Sequence, residues 1–178
     1  MKPDITVLYS AETIAARNAA LAEEIRRAGF VENVLVVAVL KGSFVFAADL
    51  IRALHHAGIS PEVDFMSLSS YGAGTTSSGT ITVIRDIETA VAGRNVLLVD
   101  DILESGRTLA HARDTIASRG AARVGVVVLL DKPGKRVAPI EADFVGFATP
   151  DHFVVGYGMD AAHAFRELPF IGYLRSGG

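Results

Sequence analysis

Apolar residues fall along this chain in two alternating rhythms. One is the short run rich in apolar and β-branched residues, unbroken in Val34–Leu40 and also found at Val63–Leu68, Ile81–Ile84, Val96–Val99 and Val124–Leu130. Runs of this length read as strands, and the unbroken ones as strands buried on both faces. The other rhythm is helical. Ser10 can cap a helix that carries Ile14, Leu21 and Ile25 on one side, runs to about Arg27 and stops at Gly29. Phe44–His56 returns to helical spacing and ends at Gly58, and Arg107–Ser118 does so again before Gly120. Strands that alternate with helices of about ten to fifteen residues predict βαβ crossovers and a mostly parallel sheet, an α/β fold. In such sheets ligands sit beyond the carboxyl ends of the strands.

Two stretches break the pattern. Ser69–Gly79, SSYGAGTTSSG, has turn chemistry and nothing to pack, so a lid or binding loop is expected there. Past Lys132 the apolar runs shorten to Phe144–Phe147, Phe153–Gly156 and Phe170–Tyr173, which predicts a small appended subdomain. No linker or repeat divides the chain, and 178 residues suit one domain.

Half of the residues are apolar, so the chain can fill a core. Lysine and arginine number 17 against 20 aspartates and glutamates, a formal charge of −3 that argues against bulk electrostatic binding of nucleic acid. The absence of cysteine excludes disulfides, thiolate metal sites and cysteine nucleophiles. MKPDITVLYS has no signal core, and no apolar run approaches the ~20 residues that cross a bilayer, so a cytoplasmic protein without a membrane partner is expected. The five histidines lack metal-ligand spacing, and His55 and His56 read as structural, at a helix end that favours cations.

The chemistry concentrates in Val96–Leu109, VLLVDDILESGRTL. Four apolar residues deliver Asp100 and Asp101 to a strand end, where two adjacent acids are costly without a partner. Gly106 then permits a tight turn into a helix. Backbone amides and the Ser105 and Thr108 hydroxyls can converge there on one oxyanion, aided by the helix dipole. The local design is two acids for hydroxyls or a metal beside a phosphate cradle. A nucleotide hydrolase would need a G-x-x-x-x-G-K-[ST] loop, which is absent, and a dinucleotide fold needs G-x-G-x-x-G, where Gly72 and Gly74 are followed by Ser77.

Val96–Leu109 resembles the phosphoribosyl pyrophosphate signature of type I phosphoribosyltransferases. Leu40-Lys41-Gly42-Ser43 is similar to that family's pyrophosphate loop, although Ser43 replaces a common Gly. Asp143–Phe147 and Phe153–Asp160 (FVVGYGMD) resemble the purine-binding hood of the hypoxanthine-guanine members. The resemblance implies the type I fold, with a core at about 30–131 and a hood built from about 132–178 with the N-terminal segment.

It also implies roles. Leu40, Lys41, Gly42, Asp100, Asp101, Glu104, Ser105, Gly106, Arg107, Thr108 and Arg166 would bind phosphoribosyl pyrophosphate. Leu40 and Lys41 correspond to a loop that can adopt a non-proline cis peptide. Glu104 would be the catalytic base near purine N7, where relatives commonly carry Asp. Ile102, Lys132, Phe153, Val154 and Asp160 would hold the purine, with Lys132 donating to the 6-oxo group and Phe153 stacking on the ring. Asp100, Asp101 and Asp160 would bind Mg2+, Arg136 would support the Lys41 loop, and Ser70 and Tyr71 would open a flexible loop that closes over the site. The expected substrates are a 6-oxopurine base and phosphoribosyl pyrophosphate, and a homodimer or homotetramer is expected. Two other readings stay open at this point: a regulator on the same fold that binds RNA or protein, and a phosphoribosyltransferase for xanthine or a pyrimidine.

Overall fold

The computed structural model describes residues 4–71 and 80–174. Its elements are β1 (Ile5–Tyr9), α1 (Ala11–Arg27), β2 (Val34–Leu40), α2 (Phe44–His56), β3 (Glu62–Tyr71), β4 (Thr80–Arg85), β5 (Asn95–Leu103), α3 (Arg107–Ser118), β6 (Arg123–Asp131), β7 (Phe144–Ala148), β8 (Val154–Val155) and β9 (Ile171–Leu174), with a 3-10 turn at Pro133–Lys135. A six-stranded sheet in the order β4-β3-β2-β5-β6-β7 forms the core, parallel throughout except for the edge strand β4.

The unbroken apolar runs follow from helices covering both faces. Along β2, Val34, Val36 and Ala38 pack with Phe46, Leu50 and Leu54 of α2 and with Ile14, Leu21 and Ile25 of α1. The alternate residues Leu35, Val37 and Val39 join Leu109, Ala112 and Ile116 of α3 on the other side. The period of two thus splits one apolar run between two cores. The helix ends behave as the sequence predicts. The Ser10 hydroxyl oxygen accepts from the Thr13 amide at 3.2 Å, and Gly29, Gly58 and Gly120 all take positive φ past the helix ends.

Three boundaries differ from expectation. β3 continues through Ser69, Ser70 and Tyr71, which pair with Thr82, Ile81 and Thr80 of β4. A ladder partner overrides the weak strand preference of serine, so Ser70 and Tyr71 lie in a strand, and the rest of the expected loop, residues 72–79, lies outside the described residues. β5 likewise runs past its acids, because β6 reaches far enough to pair with Asp100, Ile102 and Leu103. Finally, β7 pairs in parallel with β6 and so belongs to the core sheet, which means the hood does not begin at residue 132. The hood proper is the antiparallel sheet β1-β9-β8. The Tyr9 ring stacks on Phe147 at 4.0 Å and joins hood to core.

A buried carboxylate pins the segment after β4. Asp64 of β3 accepts from the amides of Phe65 (2.7 Å), Glu88 (2.8 Å) and Thr89 (2.9 Å). Burial pushes its carboxyl up, but these amides and the Thr89 hydroxyl more than offset it and hold the group below the usual carboxylate range. Asp64→Asn is expected to lose about 1.5–3 kcal/mol of stability at pH 7, the worth of hydrogen bonds to a charged group. A folded-state pKa below the unfolded value contributes stability above the unfolded pKa of about 3.9 and loses it as pH falls through the folded value. Denaturant titrations of both proteins should therefore differ at neutral pH and converge on acidification below about pH 4.

Candidate active site

The parallel strands β2, β5 and β6 end on one side of the sheet, and the loops leaving them meet there. After β2, Leu40 and Lys41 are joined by a cis peptide bond. The next residue must be small, because a Cβ on Gly42 would fall onto the Asp101 carboxylate. Ser43 fits in place of the more common glycine because its side chain is fully buried and its hydroxyl donates to the Val39 carbonyl at 2.5 Å.

Beyond β5 the chain turns sharply at Gly106, whose φ of +79° favours glycine. A Cβ there would also meet Ile140 at 2.5 Å. The turn delivers Glu104, Ser105 and Thr108 to the start of α3. Arg136 buttresses it, since its guanidinium donates to the carbonyls of Glu104 (3.0 Å) and Ile140 (2.7 Å) and pairs with Asp131. Arg136 therefore supports the Glu104 turn and not the Lys41 loop, because the end of β6 where it is anchored lies beside β5.

Asp100 and Asp101 are the electrostatically costly members. Burial pushes the Asp100 carboxyl well above the usual range, and the neighbouring Asp101 charge adds to it. Burial raises Asp101 as well. Within the protein Asp100 accepts from the Asp101 amide at 2.9 Å and Asp101 from the Ile102 amide at 2.8 Å. A pair so disposed gains from a cation or from ribose hydroxyls.

Across from this turn, Lys132 is only 6% exposed, and its ammonium donates to the His152 carbonyl at 2.6 Å. The Glu104 carboxylate lies 4.0 Å from that ammonium. Phe153 is 64% exposed, a ring left uncovered beside the buried Val154, as suits a stacking platform rather than a core aromatic. Asp160 accepts from the Arg166 guanidinium at 2.8 Å and from the His163 amide at 2.8 Å.

Two adjoining cavities collect these groups. The larger, about 700 Å3, brings together the Leu40–Gly42 loop, Asp101, Ile102, Glu104, Lys132, Phe153, Val154, Asp160 and Arg166. The smaller, about 190 Å3, brings the same loop to Asp100, Asp101, Glu104, Ser105, Gly106 and Thr108. Arg107 lines neither. The sequence reading missed Lys135 and Asp151, which also line the larger cavity. Their signal was a Lys-Pro-Gly-Lys turn directly after a buried strand.

A parallel sheet with an acid pair and a glycine turn at its strand tips, facing an aromatic hood, defines the phosphoribosyltransferase class. Residues 4–162 match the phosphoribosyl transferase domain family. The hypoxanthine-guanine phosphoribosyltransferase of Bacillus subtilis (strain 168) is 46% identical over 176 residues, 98% of this chain and 96% of that protein. The crystal structure of a hypoxanthine phosphoribosyltransferase from Staphylococcus aureus superposes with a TM-score of 0.89 at 38% identity, covering 96% of this chain and 91% of that one. That of a hypoxanthine-guanine phosphoribosyltransferase from Bacillus anthracis, with a HEPES molecule in its active site, gives 0.89 at 42%, covering 96% and 99%. The chain belongs to the phosphoribosyltransferase family, among its hypoxanthine-guanine members.

Proposed function

We propose that this transferase salvages purines by joining hypoxanthine or guanine to phosphoribosyl pyrophosphate, with release of the 5′-monophosphate and pyrophosphate. One observation carries the base assignment. The Lys132 ammonium and the Glu104 carboxylate stand 4.0 Å apart beside the uncovered Phe153 ring. A 6-oxopurine presents an acceptor, O6, next to N7 on one edge. An ammonium suits O6, a carboxylate suits a protonated N7, and the ring face suits the phenyl group. The 6-amino group of adenine would meet Lys132 donor to donor.

Placement in the two cavities supports the remaining roles that we assign. The amides and hydroxyls of the Ser105–Thr108 turn receive the 5′-phosphate at the start of α3. The Leu40–Gly42 loop and Arg166 face the pyrophosphate, and Asp100 and Asp101 face the ribose hydroxyls. Glu104 accepts the proton from N7 while N9 bonds to C1 and the C1–pyrophosphate bond breaks, its electron pair leaving with pyrophosphate.

Mg2+ keeps several waters and takes one or two carboxylates plus substrate phosphates, a demand that the buried Asp100–Asp101 pair can meet. Asp100 and Asp101 would hold it directly. Asp160, already engaged by Arg166, would reach it through water. When bound, the ion supplies charge neutralisation of the leaving pyrophosphate. No helix among the described residues is long and apolar enough to cross a membrane. We assign the protein to the cytoplasm and to a homodimer or homotetramer. Light scattering on the purified chain reads the assembly.

The direct test supplies Mg2+, phosphoribosyl pyrophosphate and one base at a time. Nucleotide is expected from hypoxanthine and guanine, little or none from adenine or uracil, and none after chelation with EDTA. Turnover of uracil, or no turnover with salt-sensitive RNA binding instead, would refute the assignment.

A further inference from the structure

Glu104 extends one methylene beyond the aspartate common in relatives, so its carboxylate has an extra torsion to order at the purine edge. Two ammonium groups face it. Lys132 stands at 4.0 Å, and Lys135, on the 3-10 turn Pro133–Lys135, stands closer at 3.3 Å. Lys135 also reaches Asp151, beside the hood, at 2.9 Å. Together these contacts hold the Lys135 ammonium above the usual lysine range, Asp151 more than Glu104.

We infer that Lys135 is a positioning residue that fixes the Glu104 carboxylate at the purine edge and keeps it from closing on Lys132. The inference rests on the reading of Glu104 as the group at N7. Without Lys135 the nearby cation left to Glu104 is Lys132, and pairing there would occupy the ammonium that the 6-oxo group needs. The lysine thus matches the longer acid and frees the buried one for the base.

The test is a mutant cycle in the full-length protein. Lys135→Met should lower kcat about fivefold, the scale of a half-exposed ion pair, and raise KM for hypoxanthine while leaving KM for phosphoribosyl pyrophosphate unchanged. Lys135→Arg should restore kcat to within about twofold of the parent. In a Glu104→Asp background, where the carboxylate stops short of residue 135, Lys135→Met should have no further effect. An equal loss from Lys135→Met in the Glu104→Asp background overturns the inference, since it makes Lys135 a fastening of the hood. A normal kcat in Lys135→Met alongside a Glu104→Ala variant that has lost turnover overturns the inference alone. Normal turnover in both overturns the reading of Glu104 with it.

Discussion

Glu104→Ala is expected to lower kcat by about 10²- to 10⁴-fold, the range that a positioned acid or base supplies. Binding of phosphoribosyl pyrophosphate should survive, because the turn that cradles the phosphate is held through the main chain. Arg136 grips the Glu104 carbonyl, and the Ser105 carbonyl accepts from the Val137 and Ala138 amides. None of these bonds uses the Glu104 side chain. Steady-state turnover together with calorimetric titration of the sugar donor separates the two effects. Near-normal turnover would show that Glu104 does not handle the N7 proton.

Lys132→Met should be nearly as damaging, and in a different way. The stem still fills its buried position, but the cavity loses the donor that we assign to the 6-oxo group and that holds the His152 carbonyl beside Phe153. We expect kcat/KM for hypoxanthine to fall by at least about 10²-fold. Sites built around one such hydrogen bond discriminate by as much as about 10⁴- to 10⁵-fold. The preference over adenine should narrow in parallel. Competition assays with both bases measure it, and a preference equal to the parent's would remove Lys132 from the recognition of O6.

The core was readable because each buried strand is a continuous apolar run and each crossover helix carries its own stop, as Gly29, Gly58 and Gly120 do. The Val96–Leu109 string pointed to the right family because it joins an acid pair to a glycine turn wherever the strand ends. Strand ends were less so. Ser69–Tyr71 and Asp100–Leu103 are held in the sheet by partners distant in sequence, which local composition does not report. β1 went unread because Ile5–Tyr9 is short and finds its partner only in β9. Arg136 was assigned to the wrong loop for the same reason, since the carbonyls that it holds lie across a loop whose path the sequence does not state. The cavity itself, with Lys132 against Glu104, is a product of the sheet's register.

In the hood, β9 lies between β1 and β8, so the middle strand is made after both of its neighbours, and Ile5 finds Leu174 only once everything between them has been made. On the ribosome the sugar-phosphate half of the enzyme can assemble while the shelf for the ring is still two loose edges. A chain cut short before Ile171 would then keep the means to grip an activated pentose with nothing above it to hand the pentose to.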